Sequence, residues 1–485
     1  MQVTIEKIVY PGKSLAVFQG KVCLTDEGLP GEIVDIRPVK EKRNYIEART
    51  VGIIKASEER LASRCPHYRA CSSYQVLPYP RQIEIKKAQV LEILSSRLDL
   101  AGATLETVSS PRIWHYRNKV RLHILREGAK AELAYNAPGK QDEFVKIQEC
   151  FLISEPIGRL LADLKKILEE RAIPSLEEVE VRESRARGEL LLNVFWKTRP
   201  KTDEIDPLIT GLAPCHRLAG IVCLHRTKTG YQETSAWGKN YIEEEIGRTR
   251  FHIGAQSFFQ VNVDLLPRVT RDIMDMAEFG AEDCIADFYC GLGTFGIALA
   301  PNVKSVYGIE SGAQNIEFLK RNLALNQVRN FTICEGPGEE WISWVLDRKM
   351  DAVLFDPPRK GLGPAILQGL RQRPAPKLIY LSCNPTTLAR DLKELETGYK
   401  VKALKIYDFF PHTPHIETLA ILEKTGSKAL RCGYPLQSRG ASCHGFFMPI
   451  ARQNKIPRFP RNDAPRQIVS FISVARDDDL KMSNV

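Results

Sequence analysis

Cys383 stands in Tyr380-Leu381-Ser382-Cys383-Asn384-Pro385, where an apolar run stops and a proline follows two residues later. The pattern reads as a strand reaching a sheet edge and a helix starting near Pro385, since proline is tolerated in a first helical turn. A helix N-terminus favours a thiolate, the nucleophilic form of cysteine. A buried, inert thiol is the ordinary alternative for any single cysteine. Its company argues otherwise. Asp356-Pro357-Pro358-Arg359-Lys360-Gly361 follows another apolar run and sets an acid on a rigid turn. Glu417 opens a later run beside the proline-pinned Phe410-Pro411-His412-Thr413-Pro414-His415-Ile416, and Asp287-Phe288-Tyr289-Cys290-Gly291-Leu292-Gly293-Thr294-Phe295-Gly296 closes an earlier one. Open α/β sheets bring the carboxyl ends of their strands to one edge, so a nucleophile, two acids and a glycine loop should share one rim.

Gly291, Gly293 and Gly296 satisfy G-x-G-x-x-G, and Glu310 ends the next strand, where an acid can bind ribose hydroxyls. Nicotinamide dinucleotides and S-adenosylmethionine both need these parts, and a tight strand-to-helix connection without a ligand needs the glycines too.

The elements that must hold these residues are legible as alternating helices and β-branched runs from Asp264 onward, the signature of a parallel sheet. Strands are expected at Cys284 to Tyr289, Ser305 to Glu310, Phe331 to Cys334, Ala352 to Asp356, Leu378 to Ser382, Val401 to Phe409 and Glu417 to Leu422. The turn Pro411 to Pro414 is too short for a helical crossover, so the last two should pair antiparallel. Upstream, residues 1–57 alternate apolar and polar positions around Pro11-Gly12 and Leu29-Pro30-Gly31 and read as a small all-β barrel. Residues 58–247 form a mixed α+β central region with a helix at Gln82 to Leu98, strands at Lys119 to Leu125 and Gly188 to Trp196, and a helix at Pro156 to Glu170. Residues 248–424 make the catalytic unit, and 425–485 a basic, partly disordered extension.

With 485 residues, 43% hydrophobic and 26% charged, the chain is too long for one core and too apolar for disorder. It has no run of about 18 apolar residues and no leader pattern over Met1 to Tyr10, which predicts a cytoplasmic protein, expected to be a monomer. The net charge of +10 leans toward a polyanionic partner, but +6 of it falls in Thr425 to Val485. Twelve scattered cysteines suit reduced thiols.

Together these motifs resemble the RNA uracil-5-methyltransferase family, specifically its rRNA-modifying branch, over Met1 to Lys424. The match runs through Phe258-Phe259-Gln260-Val261-Asn262, the Asp287 to Gly296 loop, Asp356 to Gly361, Ser382 to Pro385 and Phe410 to Glu417. The N-terminal module is similar to the family's TRAM domain, an oligonucleotide-binding-like barrel, with Gly31-Glu32-Ile33-Val34 in a typical place. The resemblance implies a Rossmann-like class I S-adenosylmethionine-dependent methyltransferase domain behind the barrel and the central domain. It implies Cys383 as nucleophile and Glu417 as general base, Gln260, Tyr289, Thr294 and Glu310 as cofactor contacts, and Asp356 near the methionine moiety or the flipped uracil. Phe258 would stack near the target base, and Arg117 and Lys119 in Tyr116-Arg117-Asn118-Lys119 would face RNA phosphates.

Two segments depart from the family pattern. Glu335-Gly336-Pro337-Gly338 lacks the usual adenine-contacting acid, and the four-cysteine iron–sulfur motif retains Cys65, Cys71 and Cys150 but has Tyr74 in the remaining place. A three-thiolate cluster and a metal-free remnant both stay open. The reading is C5 methylation of a uridine in RNA, with 23S rRNA favoured over tRNA because of the barrel and the cysteines. A tRNA enzyme, a nicotinamide oxidoreductase and a noncatalytic RNA-binding relative are the alternatives. The oxidoreductase leaves Cys383, Glu417 and Asp356 without a shared role.

Overall fold

Alternation of buried and exposed residues over the first 55 positions has one stable outcome, a sheet with a single apolar face closed on itself. In the computed structural model, which describes residues 1–426 other than 129, 138–141, 172 and 229, Gln2–Val9, Lys13–Phe18, Lys21–Thr25, Tyr45–Lys55 and Ile33–Lys42 form a closed barrel in that order. Val3, Ile5, Ala16, Cys23, Val34 and Ile46 fill it. Glu32 is buried at its exit, where Arg60 grips both carboxylate oxygens at 2.6 and 2.7 Å and the backbone N–H of Leu29 donates at 2.7 Å. That fastens the barrel to the chain that leaves it.

A seven-stranded sheet follows, in the order Gly230–Gly238, Leu218–Thr227, Glu189–Trp196, Leu176–Ser184, Lys119–Glu127, Lys130–Asn136, Phe144–Lys146. The amphipathic helix Glu155–Glu170 buries Ile157, Leu160, Leu161, Leu164 and Leu168 against one face.

The catalytic sheet has the order Phe331–Glu335, Ser305–Glu310, Cys284–Phe288, Ala352–Phe355, Lys377–Ser382, Glu417–Lys424, Tyr399–Tyr407, Thr104–Val108. The first five are parallel, and Glu417–Lys424 runs antiparallel between Lys377–Ser382 and Tyr399–Tyr407. The expected hairpin is therefore present, with its second strand inserted next to the parallel set. Both faces are covered by apolar clusters, as the near-continuous hydrophobic strands require.

The chain divides differently from the expectation in one respect. Thr104–Val108, assigned by sequence to the central region, pairs parallel with Tyr399–Tyr407 at the edge of the catalytic sheet. The helix before it spans Tyr79–Ser95, three residues earlier than its apolar spacing suggested, because Pro80 fits its first turn. Its Val90 and Leu94 join the apolar cluster beneath the catalytic strands. Beyond Gly426 the expected extension 425–485 lies outside the described residues.

Candidate active site

The glycine loop is built from the strand Cys284–Phe288. Its Asp287 is buried and accepts a hydrogen bond from Gly296 N at 3.0 Å, which folds the loop back on the strand that delivers it. Tyr289, Gly291 and Gly293 have φ of 60°, 56° and 85°. At Gly293 a Cβ would stand 2.7 Å from Ile297 and Leu319, so only glycine serves there. Glu310 accepts from Gly291 N at 2.9 Å and from Ser311 N and Gly312 N at 2.9 and 2.6 Å. It thus ties the ends of the first two strands together, at the position where a ribose contact was expected. Burial pushes the Asp287 carboxyl up to about 8, against the Gly296 hydrogen bond and with Asp356 and Glu310 adding repulsion. Gln260, Tyr289 and Thr294 are half-buried.

Cys383 follows the strand Lys377–Ser382, and Asn384 caps the helix Pro385–Leu395 by accepting from Thr386 N at 3.0 Å. The Asn384 amide and the Thr387 hydroxyl both donate to the Arg359 carbonyl at 3.2 Å, which locks the Asp356–Gly361 turn onto the helix that follows Cys383. Asp391, farther along that helix, accepts from Leu362 N at 2.8 Å and from the Tyr380 hydroxyl at 2.7 Å. The two turns therefore move as one piece.

Glu417 is 4% exposed and pairs with Tyr407 in the antiparallel ladder. Burial, reinforced by Asp356 and opposed by Arg359, holds its carboxyl well above the usual carboxylate range. Asp356 is raised by burial to about 7. The thiol runs against the helix-terminus argument. Burial, then Glu417, push Cys383 up to about 12 against the pull of Arg359, so as folded it keeps its proton. Desolvation and nearby carboxylates outweigh the helix end.

Several residues that set this geometry carried no role in the sequence reading. Arg359 lies close enough to Glu417 and Cys383 to favour their charged forms, and its Nη2 is 3.3 Å from His415 Nδ1. Lys86 is buried and gives Nζ to Asp408 Oδ1 at 2.6 Å and to the Phe410 carbonyl at 3.0 Å. Gln82 takes the His412 N–H at 2.8 Å, and Trp114 stacks on the His412 ring with centroids 3.7 Å apart. These contacts hold the Pro411–Pro414 turn that delivers Glu417. The available signal was a polar stripe, Gln82, Lys86 and Gln89, on the buried face of an otherwise amphipathic helix.

Phe259 is core, packed 5.5 Å from Phe251, while Phe258 is 60% exposed. Asn262, closing that segment, donates to the Phe409 carbonyl at 3.0 Å and draws it to the Glu417 turn.

The phosphate-facing role of Arg117 and Lys119 does not survive. Arg117 is 6% exposed, with its backbone bonded to Leu152 and Ser154, and the Asn118 backbone bonds Val261 and Glu183. This stretch joins the central sheet to the Phe258–Asn262 segment. Lys119 is lowered to about 8 by burial, with Glu180 opposing from 3.8 Å. Its neighbour Arg121 is held by Glu178 at 2.5 Å. The basic strand lies in register with an acidic one, which neutralises it.

Nor do the cysteines fit an iron–sulfur cluster. Among the described residues no group of three or more His, Cys, Asp or Glu side chains has metal-holding geometry. The Cys65 thiol accepts from Gln75 Nε2 at 3.1 Å, Cys71 Sγ lies 3.3 Å from Ser72 Oγ, and Cys150 Sγ lies 3.8 Å from the Tyr135 hydroxyl. Tyr74, in the fourth place, is a buried core residue among Ile8, Leu29, Val76, Leu77 and Ile85, and its hydroxyl accepts from Gln89 at 3.0 Å. Burial raises the Cys65 thiol, and the Cys71 thiol to about 12.

In the segment after Phe331–Glu335, Glu335 is exposed and paired with Lys320 at 2.7 Å. No helix among the described residues is long and apolar enough to cross a membrane.

Comparison with known proteins bears on this arrangement. Residues 78–425 match the family model for tRNA (Uracil-5-)-methyltransferase. An uncharacterized RNA methyltransferase of Halalkalibacterium halodurans is 30% identical over 87% of this chain and 96% of its own length. One from Caldanaerobacter subterraneus subsp. tengcongensis is 31% identical, over 87% of this chain and 98% of its own. Among solved structures, the Pyrococcus abyssi tRNA (uracil-54, C5)-methyltransferase in complex with S-adenosyl-L-homocysteine is similar, with a TM-score of 0.70 and 27% identity over 87% of this chain and all of that one. The glycine loop, Asp356, Cys383 and Glu417 all lie within the matched residues 78–425: the chain is a member of the tRNA (uracil-5-)-methyltransferase family, an RNA (uracil-5-)-methyltransferase.

Proposed function

We propose that the protein transfers a methyl group from S-adenosylmethionine to C5 of a uridine in structured RNA, through a covalent bond between Cys383 and C6 of the base. The observation that carries this reading is the convergence of Cys383, Glu417, Asp356 and Arg359 on one rim beside the glycine loop. The donor set suits the cofactor. Asp287, Asp356 and Glu417 are carboxyls that burial makes reluctant to ionise, and a cationic ligand relieves that cost. Gln260, Tyr289, Thr294 and Glu310 would hold it, with Asp356 near its methionine end or the base.

Bound S-adenosylmethionine supplies an electrophilic methyl group. Uracil C5 is a poor nucleophile until the Cys383 sulfur adds to C6, which moves the C5–C6 π pair into an enolate that attacks through C5. Arg359 favours the thiolate required for that addition. Glu417 then takes the C5 proton, the C5–C6 double bond re-forms, and the C6–S bond breaks to return the thiolate. A base with a raised pKa suits proton removal near neutrality better than an ordinary exposed glutamate. Phe258 would stack on the extruded base.

For the RNA, 23S rRNA is the first reading, on the resemblance of the motifs to the rRNA-modifying branch. The likeness to a tRNA (uracil-54, C5)-methyltransferase favours tRNA as the second. Transfer of labelled methyl from S-adenosylmethionine to unmodified 23S rRNA and tRNA transcripts, with Cys383→Ala as control, tests both. Label recovered as 5-methyluridine in rRNA only is expected, and its loss in Cys383→Ala. Label in tRNA alone would replace the substrate and keep the chemistry. Turnover by Cys383→Ala would overturn the mechanism.

A further inference from the structure

The N-terminal barrel does more than precede the catalytic unit in sequence. Its first strand, Gln2–Val9, is tied to the helix Tyr79–Ser95 at two points, Lys7 to Glu92 at 2.6 Å and Gln89 Nε2 to the Ile8 carbonyl at 3.0 Å. The turn that follows, Tyr10-Pro11-Gly12, is pressed against the turn that delivers Glu417. A Cβ on Gly12 would fall 2.7 Å from Pro414 Cβ, and the φ of +88° at Gly12 excludes other residues independently. Tyr10 is half-buried and packs on the apolar cluster beneath the catalytic strands, to which Ile416, the neighbour of Glu417, belongs. The Gly12–Pro414 approach sets the Tyr10 turn against the turn that precedes Glu417, and the phenol feels the charges of Arg359, Cys383 and Glu417; burial, opposed by Arg359 and reinforced by the other two, raises it to about 12, so it stays a neutral donor. No hydrogen bond to the Tyr10 hydroxyl is formed among the described residues.

We infer that Tyr10 is a substrate-contacting residue of the methyl-transfer site, contributed by the barrel, whose hydroxyl donates a hydrogen bond to the uracil ring as Cys383 adds to it. The inference rests on the uridine-methylation reading above. Addition places the π pair of C5–C6 on the C4 carbonyl oxygen and C5, and that oxygen gains charge while the C6–S bond forms. A neutral donor fixed beside the nucleophile stabilises that charge without surrendering its proton, and because it is already oriented it loses little in reorganisation. The barrel is then part of the chemistry as well as of RNA binding.

The test is single-turnover methyl transfer into one uridine-containing transcript at saturating S-adenosylmethionine, comparing the full-length protein with Tyr10→Phe, which keeps the ring's packing. The chemical rate should fall on the order of a hundredfold, the scale of losing one donor to a developing oxyanion. The dissociation constant for S-adenosylmethionine and the melting temperature should not move. In a Glu417→Gln background, Tyr10→Phe should slow formation of the covalent protein–RNA adduct by the same factor. Unchanged rates in Tyr10→Phe with an active wild type would overturn this inference alone. A rate loss that comes with equal weakening of cofactor binding would also overturn it, since the ring would then act by packing. A wild type that methylates no uridine would overturn the underlying reading as well.

Discussion

Asp356 gives the site a measurable response to pH. Its carboxyl is raised by burial to about 7, so near neutrality it is half protonated. A cationic ligand favours the ionised form and a neutral one does not. S-adenosylmethionine carries a sulfonium charge, whereas S-adenosylhomocysteine has the same adenosine, amino and carboxylate groups without it. The ratio of their affinities therefore isolates the sulfonium. The folded-state pKa of this acid is raised and cation binding lowers it, so binding expels a proton and tightens as pH rises through about 7. If the complex is fully ionised, the penalty factor is one plus ten to the power of (pKa minus pH), about 11 at pH 6 and about 1.1 at pH 8. The preference for S-adenosylmethionine over S-adenosylhomocysteine should thus grow about tenfold over that window, about 1.4 kcal/mol, with Asp287 extending the rise toward its own value of about 8. Titration calorimetry in two buffers of different ionisation enthalpy reads both the affinity ratio and the proton release, of which Asp356 contributes about half a proton at pH 7. Asp356→Asn should flatten the part of the curve centred near 7. A ratio independent of pH, or proton uptake on binding S-adenosylmethionine, would refute the argument.

Three further outcomes are expected. Glu417→Gln should permit addition and methyl transfer but block loss of the C5 proton, so covalent protein–RNA adduct should build up on a denaturing gel; its absence would remove Glu417 as the base. Lys86→Met should destabilise the protein by about 3–5 kcal/mol in urea unfolding, because Asp408, 2% exposed, would be left buried and unpaired; a loss under about 1 kcal/mol would show that water or another group compensates. Protein purified without oxygen should carry iron and acid-labile sulfide far below one cluster per chain, and stoichiometric amounts of both would show that Cys65, Cys71 and Cys150 rearrange to hold one.

What was legible in the sequence had a local signature. Cys383, Asp356 and the glycine loop each sit where an apolar run meets proline or glycine, and a parallel sheet carries such junctions to one edge whatever the loop lengths. Glu417 was legible because Pro411–Pro414 is too short to be anything but a tight turn. What failed depended on pairing between distant segments. Lys119, Arg121 and His123 form a basic face on their own strand, but Leu176–Ser184 lies beside it in register, and its Glu178 and Glu180 come more than fifty residues later. Thr104–Val108 has only five residues, too few to reveal that it finishes a sheet whose nearest strand is Tyr399–Tyr407. Tyr10 is the extreme case, since nothing in its own segment connects it with Cys383.

The raised thiol has the same physical origin as the raised Glu417 carboxyl. A helix end was expected to favour charge on Cys383, yet Cys383 and Glu417 share one rim and burial opposes charge on both. Burial acts on each at full strength, while a helix terminus, even at short range, is worth about 1 kcal/mol. Burial therefore dominates, and it raises the nucleophile, the base and Asp356 together. A pocket that keeps these groups neutral is at rest until positive charge enters it. Arg359 supplies some, short of what ionisation of the thiol requires. On the proposed mechanism the remainder would come with the ligands, and the groups that raise Cys383 in the folded chain would make its activation depend on a cationic methyl donor.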